Sequence, residues 1–202
     1  MDELAVTVGA ARHHHADQVE GTEVDERVDH RLLRQLLRGL ALAGLVVVAV
    51  VLQTAVLGQV AVDGVAPDVA LVLVIAAALV RGPEFGAGVG FLAGVLVDLA
   101  PPADHLVGRW ALAFVVVGFL AGRLRHEAGS PVGAVLAVAA GSFIGTSIFA
   151  LSGLVLHDRA MPVGAMGQVI LLGVFLDVVI AALLLPGLLP LFRRLSPPQA
   201  IL

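Results

Sequence analysis

Four charged residues stand inside or at the edges of long apolar runs: Asp68, Asp98, Arg109 and Asp177. In hydrocarbon an ionisable side chain is costly, so such residues are proton carriers, acid–base pairs or hydrogen-bonded anchors. Asp68 and Asp98 lie at the two run ends farthest from the hinge Arg81-Gly82-Pro83-Glu84, and Arg109 opens the run that follows. If these runs are antiparallel helices, all three charges fall at similar depth. An Asp–Arg–Asp cluster is therefore expected, either structural or a site for a small molecule or a partner residue. Asp177 is flanked by Phe175, Leu176, Val178 and Val179, with no basic residue in its own run. Its expected partners are the hydroxyls of Ser142, Thr146 or Ser147, or Gln53, with proton coupling as the alternative.

Covalent chemistry has a weaker basis. Two intramembrane aspartates suggest an aspartyl protease, but Leu96-Val97-Asp98 and Phe175-Leu176-Asp177 lack the glycine-preceded motif of that class. No His falls within an apolar run, which removes a serine–histidine dyad. The absence of cysteine excludes disulfides and thiolate ligands. Neither a P-loop nor a dinucleotide-binding glycine pattern is present. His13-His14-His15 has no carboxylate spacing beside it and reads as a solvated tail segment. The expectation is a protein without catalytic residues, cofactor, metal or nucleic-acid partner.

The elements that position these residues are set by composition. Of 202 residues 59% are hydrophobic, against roughly 45–50% in soluble domains. The runs are continuously apolar rather than alternating, so the spans are helices and not barrel strands. Every basic residue is Arg, and Lys, Asn and Tyr are absent, a bias that hints at a GC-rich bacterial gene. The fold class expected is all-α: a polytopic membrane protein of about six transmembrane helices.

Three parts are expected. Residues 1–38 form an acidic tail, disordered to about Asp29, with a basic lead-in of Arg31, Arg34 and Arg38. The tail lacks the features of an ordinary signal peptide. Residues 39–194 form the six-helix domain and 195–202 a short tail. The spans fall at about 39–57, 66–80, 85–100, 106–122, 131–156 and 163–185, with Pro186 and Pro190 expected to bend or end the last. Spans two and three are short for a core of about 30 Å, which leaves a re-entrant pair as an alternative. Full spans are favoured because a half-depth hairpin would bury Arg81 and Glu84. Ten of the twelve arginines lie in the tails, the 81–84 turn and the 123–126 cluster; only Arg109 and Arg159 lie on the other side. By the positive-inside rule both termini are cytoplasmic and the 101–108 and 157–162 loops external.

Glycine spacing adds a packing face. Gly86, Gly90 and Gly94 recur every four residues, and Gly118 and Gly122 do the same one run later, inside two identical Gly-Phe-Leu-Ala-Gly pentapeptides. Such small-residue faces let helix backbones approach closely in membranes. An internal role is expected for Gly94, with a partner's helix left open for Gly86.

The stretch from Pro67 to Arg125 resembles the rod shape-determining MreD family, in its actinobacterial branch. Pro67-Asp68, Arg81-Gly82-Pro83, the two pentapeptides, Asp98, Pro101-Pro-Ala-Asp-His105 and Gly108-Arg-Trp-Ala-Leu112 carry the resemblance. It implies a non-enzymatic, multi-pass protein of the bacterial inner membrane, supporting cell shape and lateral peptidoglycan synthesis. Implied partners are an MreC-like protein, the MreB filament and a RodA–transpeptidase complex. The fold implied is also similar to substrate-binding subunits of energy-coupling-factor vitamin transporters, which supplies the alternative function. A single Trp and no Tyr argue mildly against a vitamin pocket, where rings need stacking partners.

Overall fold

The computed structural model describes residues 32–33, 36–101, 106–156 and 163–195. The chain divides into two units, Met1–Leu42 and Ala43–Leu202. In the first unit the described residues are helical; the second contains the bundle. The acidic tail with His13–His15, the loop residues Asp104 and His105, the 157–162 loop and residues 196–202 lie outside the described residues.

Six helical segments follow one another among the described residues: α1 (Leu36–Gln59, α-helical to residue 55 and ending in a 3-10 turn over Leu57–Val60), α2 (Val69–Arg81), α3 (Pro83–Leu99), α4 (Arg109–Arg123), α5 (Pro131–Val155) and α6 (Val163–Leu195). Among the described residues there is no β-strand, only an isolated bridge between Val62 and Val65. That bridge closes a two-residue turn in which Asp63 and Gly64 both have positive φ, as the tight hairpin turn requires. Three helices, α1, α5 and α6, are long and apolar enough to cross a membrane.

The other three are short. With 13, 17 and 15 residues, α2, α3 and α4 rise roughly 20, 26 and 23 Å. The shortest is also the most enclosed: ten consecutive residues of α2, Val69 to Ala78, are buried. A helix apolar on every side is shielded by protein, and α2 packs against α3, α4, α5 and α6. Its length need not match a lipid core because its neighbours, not lipid, surround it.

A single glycine makes the α2–α3 turn. Gly82 has φ 95°, accepts no Cβ without strain, and donates its N–H to Ala78 O at 2.7 Å. Pro83 then starts α3 at the position where a missing N–H costs nothing. Arg81 turns its guanidinium over the Phe85 ring, 3.7 Å from the centroid. One boundary differs from expectation: α6 continues through Pro186 and Pro190 to Leu195. Proline breaks helices in water, where freed backbone groups find solvent; in an apolar bundle no such exchange is available, and the helix persists.

Candidate functional site: buried carboxylates beside a glycine-packed hairpin

Because α2 begins inside the protein, the free N–H groups of its first turn cannot reach water and need acceptors from side chains. Asp68 is the N-cap, and its Oδ1 accepts from Leu71 N at 2.9 Å. From α1, Gln53 Oε1 accepts from Ala70 N at 2.9 Å. The backbone N–H of Asp68 itself goes to Asp177 Oδ1 of α6 at 2.6 Å. The other oxygen of Asp177 accepts from Ser142 Oγ of α5 at 2.5 Å. Four helices thus meet at the buried start of α2. Of the hydroxyls and amide considered for Asp177, Ser142 makes the bond. Gln53 serves α2 instead.

The same requirement explains Asp98. It is fully buried in the last turn of α3, and its carboxylate faces the start of α4. Oδ2 accepts from Gly108 N at 2.8 Å and from Ala111 N at 3.1 Å, and Oδ1 accepts from Trp110 N at 3.2 Å. A carboxylate on the first N–H groups of a helix is favoured by hydrogen bonding and by the helix dipole. Gly108, the local N-cap, has no side chain to do this and sits at φ 103°.

Arg109 is oriented toward α5. Its Nε donates to Ser152 Oγ at 3.1 Å and its Nη2 to Phe149 O at 2.7 Å, while the guanidinium lies 3.9 Å from the Phe149 ring centroid. Room for it comes from Gly153, where a Cβ would stand 2.3 Å from Arg109 Nη2. Trp110 stacks on the same Phe149 ring at 4.3 Å and meets Phe114 edge-on at 5.4 Å. Of the residues expected to cluster, Asp68 donates its backbone N–H to Asp177, Asp98 caps α4, and Arg109, the first residue of α4, reaches α5. The unmet backbone at two buried helix starts gives both carboxylates a role beyond pairing with charge.

The glycine face is spent within the chain. A Cβ on Gly90 would lie 2.2 Å from Phe114 O, on Gly94 2.4 Å from Ala111 Cα, and on Gly86 2.4 Å from Gly118 O. From the other side, a Cβ on Gly118 would lie 2.2 Å from Gly86 O, and on Gly122 2.4 Å from Pro83 Cα. Across the antiparallel α3–α4 hairpin the first pentapeptide lies against Trp110–Val115 at the start of α4, and the second against Gly82–Gly86 at the start of α3, backbone on backbone. Gly86, left open for a partner's helix, is occupied by α4. Gly88, which breaks the four-residue spacing, has nothing within 4 Å.

Chemically, this arrangement fixes helices. Among the described residues every buried side-chain N and O has a hydrogen-bond partner. Both oxygens of Asp177 and of Asp98 are engaged by donors of the chain. No group of three or more His, Cys, Asp or Glu side chains suited to a metal occurs among the described residues. Sequence reasoning did not find Phe149 or Gly153; a small residue four places after an aromatic, on the face opposite an intramembrane Arg, is the signal that marks such a seat. No family model, curated protein or solved structure matches the chain.

Proposed function

We propose that the chain is a non-enzymatic subunit of the bacterial cell-elongation machinery, an MreD-like membrane protein with six crossing helices and both termini cytoplasmic. One observation carries the reading. The residues on which the resemblance rests, Asp68, Gly82, the two pentapeptides, Asp98 and Arg109, are those that build the central α2–α4 core and its anchors. A resemblance confined to a few motifs gains weight when those motifs form one packed unit.

The reading places partner contacts on the outside. With its glycines buried between α3 and α4, the hairpin offers no small-residue groove on that face, so a partner's helix meets bulky apolar side chains such as Phe143 of α5 or Phe175 of α6, both exposed. Three helices long and apolar enough to cross a membrane support placement in a bilayer; the six-span topology and the inner-membrane location belong to the proposal. A vitamin-transporter subunit would hold its ligand at the outer end, near Asp68 and Asp98. The cleft of about 800 Å³ lined by Arg125 and Arg193 is at the opposite, arginine-rich end.

The test is mild-detergent purification of the tagged protein from its native membranes, with identification of what stays bound, alongside depletion in cells. Recovery of an MreC-like protein with RodA–transpeptidase, and rounding on depletion, is the expected result. Recovery of paired coupling ATPases, or unchanged cell shape, would overturn it.

A further inference from the structure

The cleft between the end of α2, the α4–α5 connection, the start of α5 and the proline-bearing half of α6 is not used by any contact described above. It measures about 800 Å³, within the range of pockets that enclose small ligands. Its walls are apolar, with Leu79, Val135, Leu185 and Leu189 among them, and its lining includes Arg125 and Arg193 but no acidic residue. Arg125 is half-buried and held in place: Nε donates to His126 Nε2 at 3.1 Å, and Nη1 lies 3.1 Å from where a Cβ of Gly82 would be. A guanidinium has five N–H donors, and the one bond to His126 leaves its Nη edge available to an acceptor. The start of α5 adds the positive end of a 25-residue helix dipole at Ser130–Pro131.

An apolar trough with two guanidinium groups and no carboxylate in its lining matches an amphiphile that carries a phosphate and an acyl chain. We propose that this cleft binds an anionic phospholipid, its phosphate on Arg125 and Arg193 and one chain along Val135, Leu185 and Leu189. Planar guanidinium groups pair with phosphate oxygens through two parallel bonds. The arginine-rich end is the one that the positive-inside rule assigns to the cytoplasmic leaflet, so the lipid comes from that leaflet. The inference uses that orientation but is independent of the cell-elongation reading, and either can fail alone.

The protein in nanodiscs of phosphatidylcholine, titrated with phosphatidylglycerol of the same chain length and followed by native mass spectrometry, provides the test. Phosphatidylglycerol should be retained in preference to phosphatidylcholine. One basic residue near an anionic lipid surface changes affinity about fivefold, so Arg125→Gln with Arg193→Gln should weaken retention about 30-fold. Both residues lie at the rim, and an unchanged melting curve checks that the fold survives. Ala182→Phe, at an exposed position lining the cleft, should also displace the lipid by filling the chain trough. Equal retention of the two lipids in the wild-type protein would overturn the proposal, with no variant needed. So would full competition by inorganic phosphate with no effect of Ala182→Phe, which would mean a phosphate site only. A partner's peptide that fills the cleft in the native assembly and excludes phosphatidylglycerol would overturn it as well.

Discussion

Two glycines on one helix, two residues apart, should respond to the same substitution with opposite signs. Gly88 and Gly90 are both interior to α3, so in each case alanine removes backbone freedom from the unfolded chain and improves helix propensity, by about 0.5–1 kcal/mol. At Gly88 nothing lies within 4 Å of the new methyl, and Gly88→Ala should be neutral to stabilising by about that amount. At Gly90 the methyl carbon would stand 2.2 Å from Phe114 O and 2.6 Å from Phe114 C. Ordinary contact begins near 3.4 Å, so α3 and α4 must separate by about 1 Å. Neither atom can yield by rotating, because both belong to the α4 backbone.

Forced separation of a packed interface costs about 1–3 kcal/mol. The backbone clash puts Gly90→Ala at the upper end, about 3 kcal/mol, and its neighbours Gly86 and Gly94 lose their contacts with it. For a chain of this size that corresponds to a fall of roughly 6–12 °C in Tm, against a rise of about 2 °C for Gly88→Ala. The assay is thermal unfolding in a mild detergent, read from Trp110, the sole tryptophan, which stacks on Phe149 at the head of α4. Equal losses at both positions, or a neutral Gly90→Ala, would mean that α3 and α4 do not meet through these glycines.

Asp98→Ala should cost about 3–4 kcal/mol by unfolding in detergent, since three N–H groups at the start of α4 lose their acceptor; Asp98→Asn keeps one acceptor oxygen and should recover about half. A full loss in the Asn variant would point to the charge and not the hydrogen bonds. Ser142→Ala removes the donor to Asp177 and should cost about 2 kcal/mol, whereas Ser147→Ala, outside this network, should stay within about 0.5 kcal/mol; similar values for both would refute the network. Because the chain has no cysteine, single-Cys variants report topology without a background. Ala61→Cys should react with an impermeant thiol reagent from outside and Glu127→Cys only after lysis, and the reverse pattern would sink the orientation.

How much of this was legible in the sequence differs between elements for physical reasons. Apolar runs set by solvent are visible along the chain, so helix positions were close: 66–80 was expected where α2 spans Val69–Arg81, and 131–156 where α5 spans Pro131–Val155. The end of α6 was misjudged because the cost of an interior proline depends on what surrounds it, and that is a tertiary fact. Glycine spacing marked a close-packing face, with the internal role expected at Gly94 observed and the partner left open at Gly86 supplied by α4. Gly86 and Gly118 meet each other, while Gly90 and Gly94 meet Phe114 and Ala111 and Gly122 meets Pro83, yet a glycine face alone reads the same whether its partner is internal or foreign.

The charged residues were harder, and the difficulty shows what the missing information was. Equal depth put Asp68, Asp98 and Arg109 together, and charge attraction made that grouping reasonable. Depth and charge alone leave out that these carboxylates are acceptors for helix starts that begin inside protein. The start of α2 takes Gln53, Asp68 and, through the amide of Asp68, Asp177, while the start of α4 takes Asp98 alone, three times over. What links them is helix length: a 13-residue helix among longer neighbours has its first turn below the surface, with N–H groups that neither lipid nor water can serve. A short apolar run in a chain of long ones is therefore a sequence signal for nearby buried acceptors. By that criterion Asp177, in the middle of α6 without a basic partner in its own run, is the residue to pair with the shortest helix, which is where the structure places it.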